Sequence, residues 1–195
     1  MPGALHEENS PLNPVRQTAC KPCIVTLDTS DLWRMIMDEA RQRGRRELRP
    51  SKYFEDFSIG DQYIIPSRTQ TSGLFAMFQA ASGDNDPIHY DVEFCRERGH
   101  EELLAHGLQV MIQTAAGAGT FPSEVANSLI GMIEATGRFL KPVYRGNTLY
   151  PLLEITDLTE QRSTGVITMR TTIHNQEDTL VFEGTQRYLI RKRPI

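Results

Sequence analysis

Apolar and polar positions change period partway along the chain. From about Asn127 onward they alternate with a period near two, and four segments read as strands: residues 129–140, 147–158, 165–174 and 179–190. Asn175-Gln176-Glu177-Asp178 reads as the connection between the last two. A further strand is expected over 61–69. Ahead of these the period is helical. Residues 71–81 begin at the hydroxyls of Thr71 and Ser72, and Gly83 stands where a left-handed residue stops a helix. A second short helix follows over 92–98, capped by Asp91 and ended by Gly99. Residues 107–118 are apolar nearly all round, the pattern of a helix buried on most sides. Nearer the N-terminus, Leu32, Trp33, Ile36, Met37 and Ala40 share one face of a helix expected over 31–43, with Thr29 or Ser30 as its cap. Residues 1 to about 24 mix Pro, Asn, Ser and charge without period and read as a flexible arm. The pattern predicts an α+β chain: residues 1–50 form an N-terminal helical extension, and 51–195 form one domain in which an antiparallel sheet wraps around a central apolar helix.

Composition narrows the function classes. A chain of 195 residues with 39% hydrophobic content can bury one sizeable core. Its net charge is −4, and its basic clusters are short, Arg43-Gly44-Arg45-Arg46 and Arg191-Lys192-Arg193, so no nucleic acid partner is expected. No apolar run reaches the length of a membrane span and no basic-then-apolar leader opens the sequence, which predicts no membrane association and a cytoplasmic location. Three cysteines are an odd count and fit a reducing compartment. Cys20-Lys21-Pro22-Cys23 has half-site spacing without a second half, and it reads as linker, not as a metal or redox centre. No metal and no separate cofactor are expected.

Candidate chemistry concentrates in Ser82-Gly83-Asp84-Asn85-Asp86-Pro87-Ile88-His89-Tyr90-Asp91. Asp84 is the first side chain beyond the helix, and Pro87 forces the chain off the helix axis. Five extended steps would separate Asp84 from His89 by at most roughly 17 Å, and a turn shortens that enough for the two to share one water. On spacing alone the same residues also fit a capped turn with a structural histidine.

Gly83-Asp84-x-x-Pro87-Ile88-His89 followed by His106-Gly107 resembles the signature of MaoC-like dehydratases and (R)-specific enoyl-CoA hydratases. Tyr53-Phe54-Glu55-Asp56-Phe57 resembles that family's leading segment, and Phe139-Leu140-Lys141-Pro142-Val143-Tyr144-Arg145-Gly146 its later strand-turn-strand. The likeness covers roughly residues 52 to 192. It implies a hot-dog fold, a homodimer paired through sheet edges, and a hydro-lyase acting on an enoyl or 3-hydroxyacyl thioester. The carrier is expected to be coenzyme A, which is then part of the substrate, with acyl carrier protein second. It implies that Asp84 and His89 hold the water, and leaves open which is the base. For the charge that develops on the thioester oxygen, the backbone N–H groups of Gly107 and Leu108 at a helix start are the expected donors. Asp86, Pro87 and His106 are supporting residues, His106 as a residue that locks the turn before its helix. Two positions depart from the family. Asp86 stands where asparagine is usual, and Ile112 falls about where many members carry a serine, with Gln109 or Gln113 as possible substitutes. A hot-dog thioesterase and a non-catalytic acyl-CoA-binding subunit are the rival readings.

Overall fold

The computed structural model describes residues 28–44 and 50–194, with 39–44 described by their backbone alone. Among these, six strands form: β1 (Gln62–Ile64), β2 (Arg68–Thr69), β3 (Leu129–Phe139), β4 (Thr148–Glu160), β5 (Thr164–His174) and β6 (Leu180–Arg191). Every pairing is antiparallel, in the order β1-β4-β5-β6-β3, and β2 also pairs with β4. The four long strands fall where the alternation predicts, and in β4, β5 and β6 one face buries the apolar residues. Along β4, Leu149, Leu153 and Ile155 are fully buried while Tyr150 is exposed. The expected strand over 61–69 is instead two short strands, since Pro66 between them has no N–H to give to a ladder. At the far edge, β3 pairs among the described residues only with β6, and Leu129, Ile130, Met132 and Ile133 are all exposed.

Among the described residues, helices form at α1 (Thr29–Gly44), in the first of two units, and, in the unit that holds the sheet, at α2 (Ser72–Ser82), α3 (Val92–Glu97), α4 (Gly107–Met111) and α5 (Phe121–Glu124). The Thr71 hydroxyl accepts the Leu74 N–H at the start of α2, and Gly83 ends it at φ 73°. Asp91 caps α3 by accepting from Glu93 and Phe94. The cap of α1 lies just before the expected one: Asp28 Oδ1 accepts the Ser30 N–H at 3.2 Å. Leu32, Trp33, Ile36 and Met37 on its apolar face are exposed. The chain divides into two units, Met1–Arg46 and Glu47–Ile195. The expected arm, Cys20 and Cys23, and Arg45 and Arg46 lie outside the described residues.

The central helix is not the continuous element expected over 107–118. α4 covers five residues, and 3-10 turns follow at Ile112–Thr114 and Ala116–Ala118. The physical reason is a bond from the sheet. Gln186 of β6 donates from Nε2 to both the carbonyl oxygen and Oγ1 of Thr114, at 3.1 and 2.7 Å, and this draws that turn out of the helical ladder. Ala115 then leaves helical geometry at ψ 112°, and Gly117 and Gly119 offer little helix propensity to recover it. Nor is the segment buried on most sides, since Leu108 and Ile112 are 62% and 55% exposed.

This is the hot-dog architecture, α+β, with its central segment segmented into turns. Two apolar clusters hold it together. One joins Phe57, Tyr63, Phe121 and Val125 to Leu153, Ile155, Ile167 and Ile190 on the sheet. The other joins Phe75 of α2, Cys95 of α3 and Val110 of α4 to Leu149, Ile173 and Phe182. Truncating a buried ring such as Phe75 to alanine costs about 3–5 kcal/mol. The second cluster therefore fixes the three helices whose ends carry the polar site. In the first, Gly165 is required by contact: a Cβ there would lie 2.2 Å from the ring of Phe54.

Candidate functional site

The polar loop after α2 is folded by its own short-range bonds. Asp84 Oδ1 accepts the N–H of Asp86, and Asp86 Oδ1 accepts the N–H of Ile88. Asp86 is thereby the cap of a 3-10 turn, Pro87–His89, with Pro87 at its first position. The His89 N–H returns to the Asp86 carbonyl at 3.0 Å, and Tyr90 follows to the Pro87 carbonyl at 3.0 Å. Asparagine and aspartate are near-equal caps, so the second carboxylate of this loop has a local structural role.

A crossing strand-like segment then locks His89. Leu104 donates its N–H to Ile88 O at 3.2 Å, and Ala105 donates to Val143 O at 2.8 Å. The Leu104 carbonyl faces His89 Nδ1 at 2.6 Å. A carbonyl only accepts, so Nδ1 carries hydrogen and the neutral ring keeps its lone pair on Nε2. His89 is 9% exposed, whereas Asp84 faces solvent.

The next residue in that segment, His106, is 2% exposed. Its ring stacks on that of His89, with centroids 3.6 Å apart and 25° between planes. Phe78 of α2 lies on it at 4.7 Å. His106 makes no side-chain cap to α4, so in place of the expected turn lock it is a platform beneath His89. Its Nε2 meets the Tyr90 hydroxyl at 2.8 Å and lies 4.0 Å from Asp84 Oδ2. The Tyr90 hydroxyl also donates to the Asp84 carbonyl at 3.0 Å. Burial first, and then the charge of Asp84, push the Tyr90 phenol up from its ordinary value, so it stays protonated.

A carboxylate oxygen of Asp84 and one ring nitrogen each of His89 and His106 all lie within 4.8 Å of one another. One water, about 2.8 Å from each of two acceptors, spans such a gap. The same three groups have the donor types of a divalent-cation site. Against that use, His89 Nδ1 and both ring nitrogens of His106 are already in hydrogen bonds.

Gly107 and Leu108 begin α4 beside this cluster, and no side chain caps their N–H groups. A groove of about 410 Å³ opens next to them, lined by Leu104, Ala105, Gly107, Val110 and Phe139 with Lys141 at the same wall. Gly107 leaves room for Phe139, whose ring would lie 3.1 Å from a Cβ there. Ile112, at the serine-like position, is exposed, and Gln113 bonds the Gln109 backbone. Gln109 itself is buried and faces His106. Tyr90 and Gln70 carried no readable signal, because their partners are far off in sequence. His100, outside this cluster, is half-buried and faces the Tyr144 hydroxyl at 3.1 Å.

The family profile for the MaoC-like domain matches residues 56–178. Over 147 residues the chain is 28% identical to beta-methylmalyl-CoA dehydratase of Chloroflexus aurantiacus, covering 74% of this chain and 41% of that protein. Mesaconyl-CoA hydratase of Cereibacter sphaeroides is 28% identical over 151 residues, covering 73% of this chain and 42% of that protein. The chain thus spans about two fifths of the length of these curated relatives, 41% and 42%. Among solved structures, a protein of Archaeoglobus described as a monoamine oxidase regulatory protein superposes with a TM-score of 0.71 at 28% identity. That match takes in 76% of this chain and all of the other.

Proposed function

The chain belongs to the MaoC-like dehydratase domain family, and from that premise we propose that its Asp84–His89 site adds water to enoyl-CoA thioesters and removes it from 3-hydroxyacyl-CoA thioesters. The observation that carries this reading is that a carboxylate oxygen of Asp84 and a ring nitrogen of His89 lie within 4.8 Å of one another, while the Leu104 carbonyl fixes the His89 hydrogen on Nδ1 and leaves Nε2 as the ring's acceptor. Both can take a hydrogen bond from the same water, and its oxygen is then aimed by two anchors.

In the direction of hydration, the water oxygen bonds to the β-carbon while one of its hydrogens passes to His89 Nε2. The electron pair of the alkene moves to the α-carbon and onto the thioester oxygen, where the N–H groups of Gly107 and Leu108 are the donors. The imidazolium of His89 returns its proton to the α-carbon, and the ring is again neutral. Dehydration runs the same steps in reverse. Asp84 accepts a hydrogen bond from the water's second hydrogen, which stays on the oxygen and becomes that of the product hydroxyl. The groove beside Gly107 suits the apolar part of a thioester, and Lys141 offers a cation to the phosphates of coenzyme A.

The exposed apolar edge strand β3 supports pairing with a second copy of the chain. A thioesterase would direct water at the carbonyl carbon and release thiol. Incubation with crotonyl-CoA and mesaconyl-CoA, following enoyl-thioester absorbance together with free thiol, separates the two: loss of absorbance without thiol is expected. Thiol release without hydration would replace this reading with the thioesterase, and binding without either would leave an acyl-CoA-binding domain.

A further inference from the structure

Beneath the dyad lies a line of buried polar groups that the reaction above does not use. Starting from the sheet side, the Arg68 carbonyl receives Gln70 Nε2 at 3.4 Å. Gln70 Oε1 receives Gln109 Nε2 at 3.1 Å, and Gln109 Oε1 faces His106 Nδ1 at 3.0 Å. His106 Nε2 then meets Tyr90, whose hydroxyl also reaches the Asp84 carbonyl. Gln70, Gln109 and His106 are 0%, 1% and 2% exposed. No solvent substitutes for a lost partner here, and an unmatched buried amide is costly.

The direction of every bond in this line is dictated from one end. A backbone carbonyl has no hydrogen, so Gln70 must turn its amide nitrogen toward Arg68 and its oxygen toward Gln109. Gln109 must in turn present nitrogen to Gln70 and oxygen to His106. An amide oxygen only accepts, so the hydrogen between Gln109 and His106 belongs to His106 Nδ1.

Resting on the hydratase reading, we propose that Gln70 and Gln109 are positioning residues that keep the Nδ1 hydrogen of His106 in place, so that Nε2, the nitrogen facing Tyr90 and Asp84, is held bare as an acceptor. Free histidine favours the opposite tautomer, with hydrogen on Nε2. In that form Nε2–H would donate to the Tyr90 oxygen and Nδ1 would face the oxygen of Gln109, two acceptors with no hydrogen between them. The buried amides prevent this. With Nε2 bare, the single hydroxyl hydrogen of Tyr90 has two acceptors, His106 Nε2 and the Asp84 carbonyl. It can therefore follow small changes in charge at Asp84 without any heavy atom moving. The stacked ring of His106 also keeps one orientation, flat against His89, while the latter gains and loses its proton. The glutamines touch neither substrate nor water; they act through His106.

The test begins with the unaltered full chain. Long-range proton–nitrogen NMR of the histidine rings, with His106 assigned by difference from His106→Asn, is expected to show a protonated Nδ1 and a bare Nε2. A hydrogen on Nε2 with Nδ1 bare overturns the proposal, whatever the enzyme does. Gln109→Met removes the acceptor at similar volume and is expected to release His106 to the other tautomer. It should lower kcat by about 10-fold or more, toward the roughly 10²-fold cost of a misplaced reacting group, with KM little changed. Gln109→Glu keeps an acceptor opposite Nδ1 but loses the donor to Gln70, so it is expected to retain the tautomer and to recover part of kcat at some cost in stability. A folded Gln109→Met that keeps both tautomer and kcat also overturns the proposal. If the native tautomer is as stated but no enoyl thioester is hydrated, the positioning of His106 stands and the hydratase reading is what fails.

Discussion

The ring of His89 rests face to face on the ring of His106, 3.6 Å between centroids and 25° between planes. Together with the Nδ1 bond to the Leu104 carbonyl, this holds the His89 ring in one orientation. A base held in one orientation carries no ordering cost at the moment of reaction.

Asp84→Asn and His89→Ala are each expected to lose about 10²–10⁴-fold in hydration rate, the range for removal of a positioned acid or base. Asp84→Asn keeps an oxygen for the Asp86 N–H and should melt close to the parent, whereas His89→Ala leaves the Leu104 carbonyl unpaired and is expected to melt lower while circular dichroism still shows the fold. Enoyl-thioester absorbance gives the rate; either variant running near the parent rate removes that residue from the mechanism.

Asp86 makes a cap bond to the Ile88 N–H, at 3.0 Å, and this changes what its substitution should do. Asp86→Asn keeps an acceptor oxygen and is expected to stay within a few-fold of the parent in both stability and turnover. Asp86→Ala loses the cap, about 1 kcal/mol, and frees the turn that carries His89. Its kcat should fall well below that of the asparagine variant. Equal rates for the two would show that the turn does not depend on this cap.

Sedimentation at micromolar concentration is expected to give a dimer, because β3 has an unpaired edge and exposes Ile130, Met132 and Ile133 at 47%, 55% and 51%. Ile133→Lys places a charge on that strand and should shift the boundary toward monomer. A parent chain that sediments as a monomer would contradict the edge pairing.

Two buried phenols make stability fall in alkali. Burial, then the charges of Glu124 and Asp61, push Tyr63 up, and burial pushes Tyr188 up. A phenol whose folded value lies above its unfolded value, about 10, stabilises the fold fully below that pH and loses the contribution as pH rises toward the folded value. The urea midpoint is therefore expected to drop above about pH 10. Tyr63→Phe gives up the bond to Glu124 Oε2 and lowers stability near neutrality, yet its alkaline drop should be shallower. A slope as steep as the parent's would assign the alkaline loss elsewhere.

Gly165→Ala is expected to cost about 1–3 kcal/mol by overpacking, since the new Cβ meets the Phe54 ring at 2.2 Å. Urea unfolding measures it directly. The double change Gly165→Ala with Phe54→Leu should recover part of the loss if that contact is the cause.

The order of strands along the chain, α2, α3 and the folded loop from Gly83 to His89 were all legible in the sequence because each is specified by neighbours. Thr71 reaches Leu74, Asp86 reaches Ile88 and Asp91 reaches Glu93, bonds formed within three residues. Alternation along β4 to β6 likewise needs only the residue two positions away. Tertiary structure alone decided the rest. The break after α4 comes from Gln186 bonding Thr114 across 72 residues of chain, and the line beneath His106 joins Tyr90 across 16 residues and Gln70 to Gln109 across 39. A glutamine read locally is a polar residue of any surface. Only when the sheet and helices closed over these amides, leaving no water to bond them, did their direction become fixed and with it the state of the histidine they hold.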